Sequence, residues 1–253
     1  MSVQTRRFDA DLSDTDLSDT VLSDAVLSDT VLFDTVLSDT VLFDLDGTLS
    51  DSAPGILSSL AAAFADHGLP PLDEATARSL LGPPFYESLP PIVGADLVGP
   101  VVTSYRQHYV TGKFDTTRYD GVESLLRALR ERGVRLAVAT SKPEPQAAAV
   151  VEFLGLAGYF VTVGGDTLDA GRPTKAAVIA EVLRRLGQPD PRRVLMVGDR
   201  RHDVAGAAAH GIGCLGAGWG YGVGDELAAA GALEVFPHPG ELQAALPRLV
   251  ERR

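Results

Sequence analysis

From about residue 118 to its end, the chain alternates between helical and extended patterns of apolar positions. GVESLLRALRERG (121–133) places its apolar residues at helical spacing and stops on a glycine, and VRLAVAT (134–140) follows as an apolar strand. A helical segment over 144–154 comes next, then the short extended YFVTV (159–163), then PTKAAVIAEVLRRLG (173–187), a helix with Pro173 in its first turn. RVLMVGD (193–199) reads as a strand, DVAGAAAHG (203–211) as a helix and IGCLGAG (212–218) as a strand. A short strand near 233–236 and a helix over 239–249 close the series. Together with an apolar strand ending at Phe43, this alternation predicts an α/β protein with a doubly wound parallel sheet covered on both faces. Between about 50 and 117 no strand pattern occurs. Helices are expected over 53–67 (ended by Gly68), 73–80 and 95–110, separated by the proline-rich GPPFYESLPP. A helical insert after the first strand is expected over the strand ends, where such sheets bind ligands.

The front of the chain follows neither period. FDADL, SDTDL, SDTVL, SDAVL, SDTVL, FDTVL, SDTVL and FDLDG begin at residues 8, 13, 18, 23, 28, 33, 38 and 43. A repeat of five matches neither helix nor strand, and each unit adds an uncompensated negative charge. Residues 1–38 therefore read as a disordered acidic tail. The alternative is a short pentapeptide-repeat coil, since leucine recurs every fifth position from Leu12 to Leu42. The last unit reads as part of the first core strand itself, and the others as diverged copies of it. Asp14 and Asp16 recreate a D-x-D spacing, but Leu17-Ser18 follows where Gly-Thr follows the later pair, so no chemistry is assigned to them.

Charge is concentrated in that tail. Residues 8–42 hold nine aspartates and no Lys or Arg, so the formal charge of -12 leaves about -3 on everything else. No basic surface for a nucleic acid polymer is implied. The single cysteine, Cys214, excludes an intrachain disulfide framework and reads as a small buried residue. No segment resembles a signal peptide or a membrane span, and the expected location is the cytoplasm. Oligomeric state is left open.

Chemistry gathers where strands end. In FDLDGTLS, Asp44 and Asp46 are two positions apart at a strand terminus and so emerge on one side, before the Gly47-Thr48 turn. Two such carboxylates repel unless one is protonated or a cation lies between them. One as nucleophile and one as proton donor is what phosphoryl transfer through an aspartyl-phosphate requires. VRLAVATSKP ends in Thr140-Ser141-Lys142, where a hydroxyl and turn amides suit a phosphate oxygen; helix capping is the competing reading. RVLMVGDRRHD ends in Asp199, with Asp203 four residues on, and these carboxylates beside the first pair would complete a cage for Mg²⁺. For Asp203 a plain N-cap is the alternative. Lys175 sits in the first turn of a helix, an unfavourable place for a cation without an anionic partner, and Arg172 is a candidate to assist it. His202 reads as a surface imidazole. Trp219 and Tyr221 read as residues that pack or shape the rim.

In order, FDLDGT, VATSK, the lysine and VGDRRHD resemble the four motifs of the haloacid dehalogenase-like superfamily. The resemblance implies a core over 39–52 and 118–253 with a helical cap over 53–117. It implies Asp44 as nucleophile, Asp46 as general acid/base, Thr140 on the phosphoryl oxygens and Lys175 neutralising charge. Gly47, Thr48, Ser141 and Arg172 would border the substrate. Mg²⁺ would be held by Asp44, Asp46 through its backbone carbonyl, and Asp199, with Asp203 close behind. LGPPFYESL, RYDGVESLLRAL, GRPTKAAVI and GDRRHDVAGAAAHGIG are similar to the branch of phosphoglycolate phosphatase-like and 5′-nucleotidase-like proteins. The implied activity is Mg²⁺-dependent hydrolysis of a small phosphorylated metabolite, with phosphoglycolate or a nucleoside monophosphate as substrate. The alternatives are a phosphotransferase or mutase of the same superfamily, or a binding protein acting through the acidic repeat.

Overall fold

The computed structural model describes residues 38–83, 85–167 and 171–250. The expectations for the acidic repeat, whether tail or coil, lie outside the described residues except at its last position. There Ser38 already pairs with the core, its amide donating to the Leu249 carbonyl at 3.2 Å.

The strands in chain order are β1 (Thr40–Phe43), β2 (Ser50–Asp51), β3 (Thr117–Arg118), β4 (Arg135–Pro143), β5 (Thr162–Asp166), β6 (Val194–Gly198), β7 (Gly213–Ala217) and β8 (Glu234–Phe236). Six of them form one sheet in the order β5-β4-β1-β6-β7-β8, and every pairing in it is parallel. The helices are α1 (Ala53–Asp66), α2 (Glu74–Ser79), α3 (Phe85–Ser88), α4 (Pro90–Val93), α5 (Ala95–Gly112), α6 (Val122–Glu131), α7 (Glu144–Phe153), α8 (Lys175–Arg185), α9 (Arg201–Ala208), α10 (Glu226–Ala229) and α11 (Pro239–Leu249).

Alternation along the central strands sorts the two faces. Val41, Phe43, Leu136, Val138, Leu195 and Val197 pack with α6, α7 and α11. Leu42, Ala137, Ala139 and Met196 pack with Val178, Ile179 and Val182 of α8 and Val204 of α9. The period-two rule thus dictates that Asp44, two residues beyond Leu42, falls on the α8–α9 side.

The insert occupies α1 to α5 and has an apolar cluster of its own, in which Leu60, Ala63 and Phe64 of α1 meet Val98, Val101 and Val102 of α5. It leaves and rejoins the core through the antiparallel pair β2–β3. Among the described residues no helix is long and apolar enough to cross a membrane.

Four expectations need correction. The proline-rich 82–91 is not only a separator: it holds α3 and α4, and α4 begins on two prolines, whose missing amides cost nothing in a first turn. The strand expected at 159–163 is shifted to 162–166, because 157–159 forms a 3₁₀ turn and Phe160 turns onto Phe43 with ring centroids 6.3 Å apart. Pro173 precedes α8 and does not lie within it; Thr174 is the N-cap and Lys175 the first helical residue. Finally, β1 comes from the repeat unit 38–42 and the first residue of the next, so the eighth unit supplies the turn after the strand.

Candidate active site

Asp44 prolongs the β1 ladder by one residue, its amide donating to the Val197 carbonyl at 2.9 Å. The chain then folds on itself, with the Leu45 carbonyl accepting from Leu49 at 2.9 Å and Ser50 at 3.0 Å. Gly47 makes that turn possible: its φ is +88°, and a Cβ there would lie 2.2 Å from Asp199 Oδ2.

On the α8–α9 side, Lys175 is buried at 6% exposure. Its ammonium lies 2.8 Å from Asp44 Oδ1 and 2.7 Å from Asp203 Oδ1, and donates to the Ala139 carbonyl at 3.0 Å. The cation expected to need an anionic partner at a helix start therefore has two. Asp203 is not the N-cap of α9, which is Arg200, but its third residue; from there its Oδ2 accepts from the Arg200 amide at 3.0 Å while its Oδ1 faces Lys175.

Asp199 follows β6 and is fully buried. Its Oδ1 accepts from the Thr48 hydroxyl at 3.2 Å and its Oδ2 from the Tyr221 amide at 2.8 Å. Trp219 donates to the Thr48 carbonyl at 2.9 Å, so the 219–221 loop braces the turn that carries Asp46, Gly47 and Thr48.

The Asp44 carboxyl is pushed up to about 6: burial raises it most, Lys175 pulls it down and Asp203 pushes it up. Burial, then Asp203 and Asp44, hold Asp199 well above the ordinary carboxylate range. Burial pushes the Lys175 ammonium down, but Asp203 and Asp44 outweigh it and keep the group charged.

These residues fit a divalent cation. Ligand oxygens from Asp44, Asp199 and Asp203 lie within 4.8 Å of one another. Asp44 Oδ1 and Asp203 Oδ1 are buried and face Lys175, yet neither receives a well-aligned hydrogen bond. Counting Asp46, four carboxylates meet two ammonium groups, Lys175 and Lys142, which leaves a charge of two for a cation to balance. An all-oxygen donor set suits Mg²⁺.

Lys142 is the residue that the strand-end reading did not single out. Its ammonium lies 2.7 Å from Asp46 Oδ1 and 2.6 Å from the Tyr109 hydroxyl, which α5 of the insert supplies. Thr140, 2% exposed, ends the buried run of β4 and accepts the Lys142 amide at 3.2 Å. The signal for Lys142 was available: it stands two residues after Thr140, on the same face of the strand. Nothing in the sequence pointed to Tyr109, because only the packing of the insert on the core brings it there.

Two expected residues are not gathered into this cluster. Ser141 is exposed. Arg172 is bound elsewhere: its guanidinium donates to Glu144 at 2.9 Å and to the Gly165 carbonyl at 2.7 Å, which ties its loop to β5 and the start of α7. The imidazole expected at the surface, His202, is half-buried and held below its ordinary pKa, first by burial and then by Arg201 and Arg200.

A family model for haloacid dehalogenase-like hydrolases matches residues 41–217, and the chain belongs to that family. A second model, for pentapeptide repeats, matches eight copies over 9–43. The tyrosine-protein kinase PtkA of Mycobacterium tuberculosis is 44% identical over 184 residues, 72% of this chain and 63% of that protein, so the chain spans less than two thirds of that relative. A 5′-nucleotidase of Pseudomonas aeruginosa is 38% identical over 190 residues, 74% of this chain and 86% of its own length. The crystal structure of a predicted phosphatase from Clostridium acetobutylicum superposes with a TM-score of 0.79 at 33% identity, covering 84% of this chain and all of that one. The family and fold expected from the ordered motifs are the ones found.

Proposed function

We propose that this protein is a Mg²⁺-dependent phosphatase of small phosphomonoesters, working through an aspartyl-phosphate on Asp44. The observation that carries the reading is the buried Asp44 at the end of the central strand. It lies 2.8 Å from the Lys175 ammonium and within reach of Asp199 and Asp203. With a folded pKa of about 6, Asp44 is mostly ionised at neutral pH even without a metal.

Asp44 attacks phosphorus and the bond to the ester oxygen breaks, while Asp46 gives its proton to the departing alkoxide. Water then loses a proton to Asp46 and attacks the same phosphorus, releasing inorganic phosphate and restoring Asp44. Lys175 holds positive charge against the nucleophile throughout, and the Thr140 turn offers its hydroxyl to a phosphoryl oxygen. Asp44, Asp199 and the Asp46 carbonyl would hold Mg²⁺, backed by Asp203, and the ion would supply further positive charge to the transferring group. The insert, lying over the strand ends, would exclude water from the first step and select the alcohol portion. Phosphoglycolate and nucleoside monophosphates are the substrates to try first, the latter also because of the nucleotidase relative.

Asp44→Asn is expected to lower kcat by more than about 100-fold, and chelation by EDTA to abolish turnover until Mg²⁺ is restored. Substantial turnover in that variant, or full activity without a divalent ion, rejects the reading. The kinase-named relative favours a second reading, transfer of the same phosphoryl group to a hydroxyl acceptor. Product analysis with excess acceptor alcohol separates the two: inorganic phosphate alone means hydrolysis, a new ester means transfer.

A further inference from the structure

The ion pair between Lys142 and Asp46 has a third member from outside the sheet. Lys142 is 8% exposed, and its ammonium is shared between Asp46 Oδ1 at 2.7 Å and Tyr109 Oη at 2.6 Å. We propose that Lys142 is a positioning residue that couples the placement of the helical insert to the orientation of Asp46, with Tyr109 as the contact through which the insert acts. This rests on the phosphatase reading above and deepens it.

The two lysines of the rim divide the work. Lys175 serves Asp44 and Asp203, whereas Lys142 serves Asp46. Lys142 is held at its base as well as at its tip, since its amide donates to Thr140 Oγ1 at 3.2 Å. Buried charge requires partners; here Asp46 supplies the countercharge and Tyr109 a neutral acceptor. Tyr109 cannot supply it independently of the insert. It is 2% exposed, stacked on Tyr105 with centroids 5.1 Å apart, and packed with Ile56 and Leu81. Displacing α5 therefore withdraws one of the two acceptors that fix the ammonium, and Asp46 loses its rigid donor. With Oδ1 held, Oδ2 is left to exchange the proton with leaving group and water. Proton transfer depends on geometry of hydrogen-bond quality, so a loosened Asp46 is a poorer acid.

The test uses leaving groups. An alkyl phosphate needs a proton on its departing oxygen, whereas 4-nitrophenyl phosphate leaves without one. Lys142→Met is expected to lower kcat/KM about 30-fold for the alkyl ester and no more than about 3-fold for the nitrophenyl ester. Tyr109→Phe should show the same preference at about 3- to 5-fold, and should add nothing in the Lys142→Met background. Equal losses on both esters, or losses that multiply in the double variant, would overturn the proposal. If Lys142→Met fails to fold, Tyr109→Phe decides alone by its leaving-group ratio. A wild-type protein that cleaves neither ester with Mg²⁺ refutes the phosphatase reading. Variants that match an active wild type refute only the role of Lys142.

Discussion

Lys175 and Lys142 each meet an aspartate of the same turn, but they are wired to different parts of the molecule. All partners of Lys175 belong to the sheet and its flanking helices: Asp44 after β1, Asp203 on α9 and the Ala139 carbonyl on β4. Lys142 takes one partner from the core, Asp46, and the other from the insert, Tyr109. Asp44 and its countercharge are thus complete in the core alone, whereas the surroundings of Asp46 are complete only with the insert in place. In the proposed mechanism a covalent step and a selection step would then be controlled separately: one pole is fixed, the other waits on the insert.

Replacing the lysine of the core-only pole is expected to have the larger effect. Lys175→Met removes the charge that, in the proposed mechanism, faces the transferring phosphoryl group, and should lower kcat by about 10² to 10³-fold. It also strands Asp44 and Asp203 in a buried site, which should cost about 3 kcal/mol of stability without metal. Steady-state kinetics with Mg²⁺ and urea unfolding in EDTA measure the two effects. A variant that keeps more than about a tenth of kcat would erase the contrast with Lys142→Met.

The same pole should set the pH dependence of stability. Asp44 has a folded pKa of about 6 against an ordinary 3.8, so the folded state holds its proton more tightly than the unfolded chain does. That contribution is fully present below about pH 4 and is lost as pH rises through about 6, a change on the order of 3 kcal/mol for the metal-free protein. Asp199 is shifted in the same direction and adds to the loss. Mg²⁺ favours the charged forms and should reverse it, so the gain in Tm on adding the ion is expected to be larger at pH 7.5 than at pH 5. Asp44→Asn should raise metal-free stability at pH 7.5 while abolishing turnover. A metal-free stability that is flat between pH 4 and 7, measured by urea unfolding, would contradict the assignment.

How far each pole was legible follows from the same difference in wiring. Asp44, Asp46, Thr140, Lys175, Asp199 and Asp203 lie at the ends of apolar runs or in the first turns of helices, and the period of the strand fixes their side. The family motifs did the rest. Arg172 stands in a loop, where no period fixes direction, and it turned to Glu144 instead of the site. The short α3 and α4 were hidden by prolines that a first turn tolerates. The shift of β5 carries it onto Gly164 and Gly165, which lack the β-branched or aromatic side chains that mark a strand. A Cβ at Gly164 would meet Val182 Cγ2 at 2.3 Å, so the glycine is there for close helix–strand contact. Tyr109 depends on how α5 sits over the sheet, which no local pattern encodes.

Arg200 offers the finest test, because it touches the insert without touching either aspartate of the turn. Its Nε donates to Glu226 at 3.0 Å, and its guanidinium donates to the Leu81 carbonyl in the insert. In Arg200→Ala, Glu226 loses its ion pair with the guanidinium but keeps the Arg201 amide at 2.9 Å. The Arg200 amide still donates to Asp203 Oδ2 as before. Besides the ion pair within the core, one charge-assisted hydrogen bond between core and insert is lost, about 1.5 kcal/mol, which weakens the placement of the insert by roughly tenfold at most. KM is expected to rise about 3- to 10-fold while kcat stays within about twofold, because bound substrate restores closure and the Lys175 pole is intact. Steady-state kinetics on the alkyl phosphate read the split directly. A fall in kcat as large as the rise in KM would mean that Arg200 governs the chemistry as well as closure, and the separation between a fixed pole and a gated one would no longer hold.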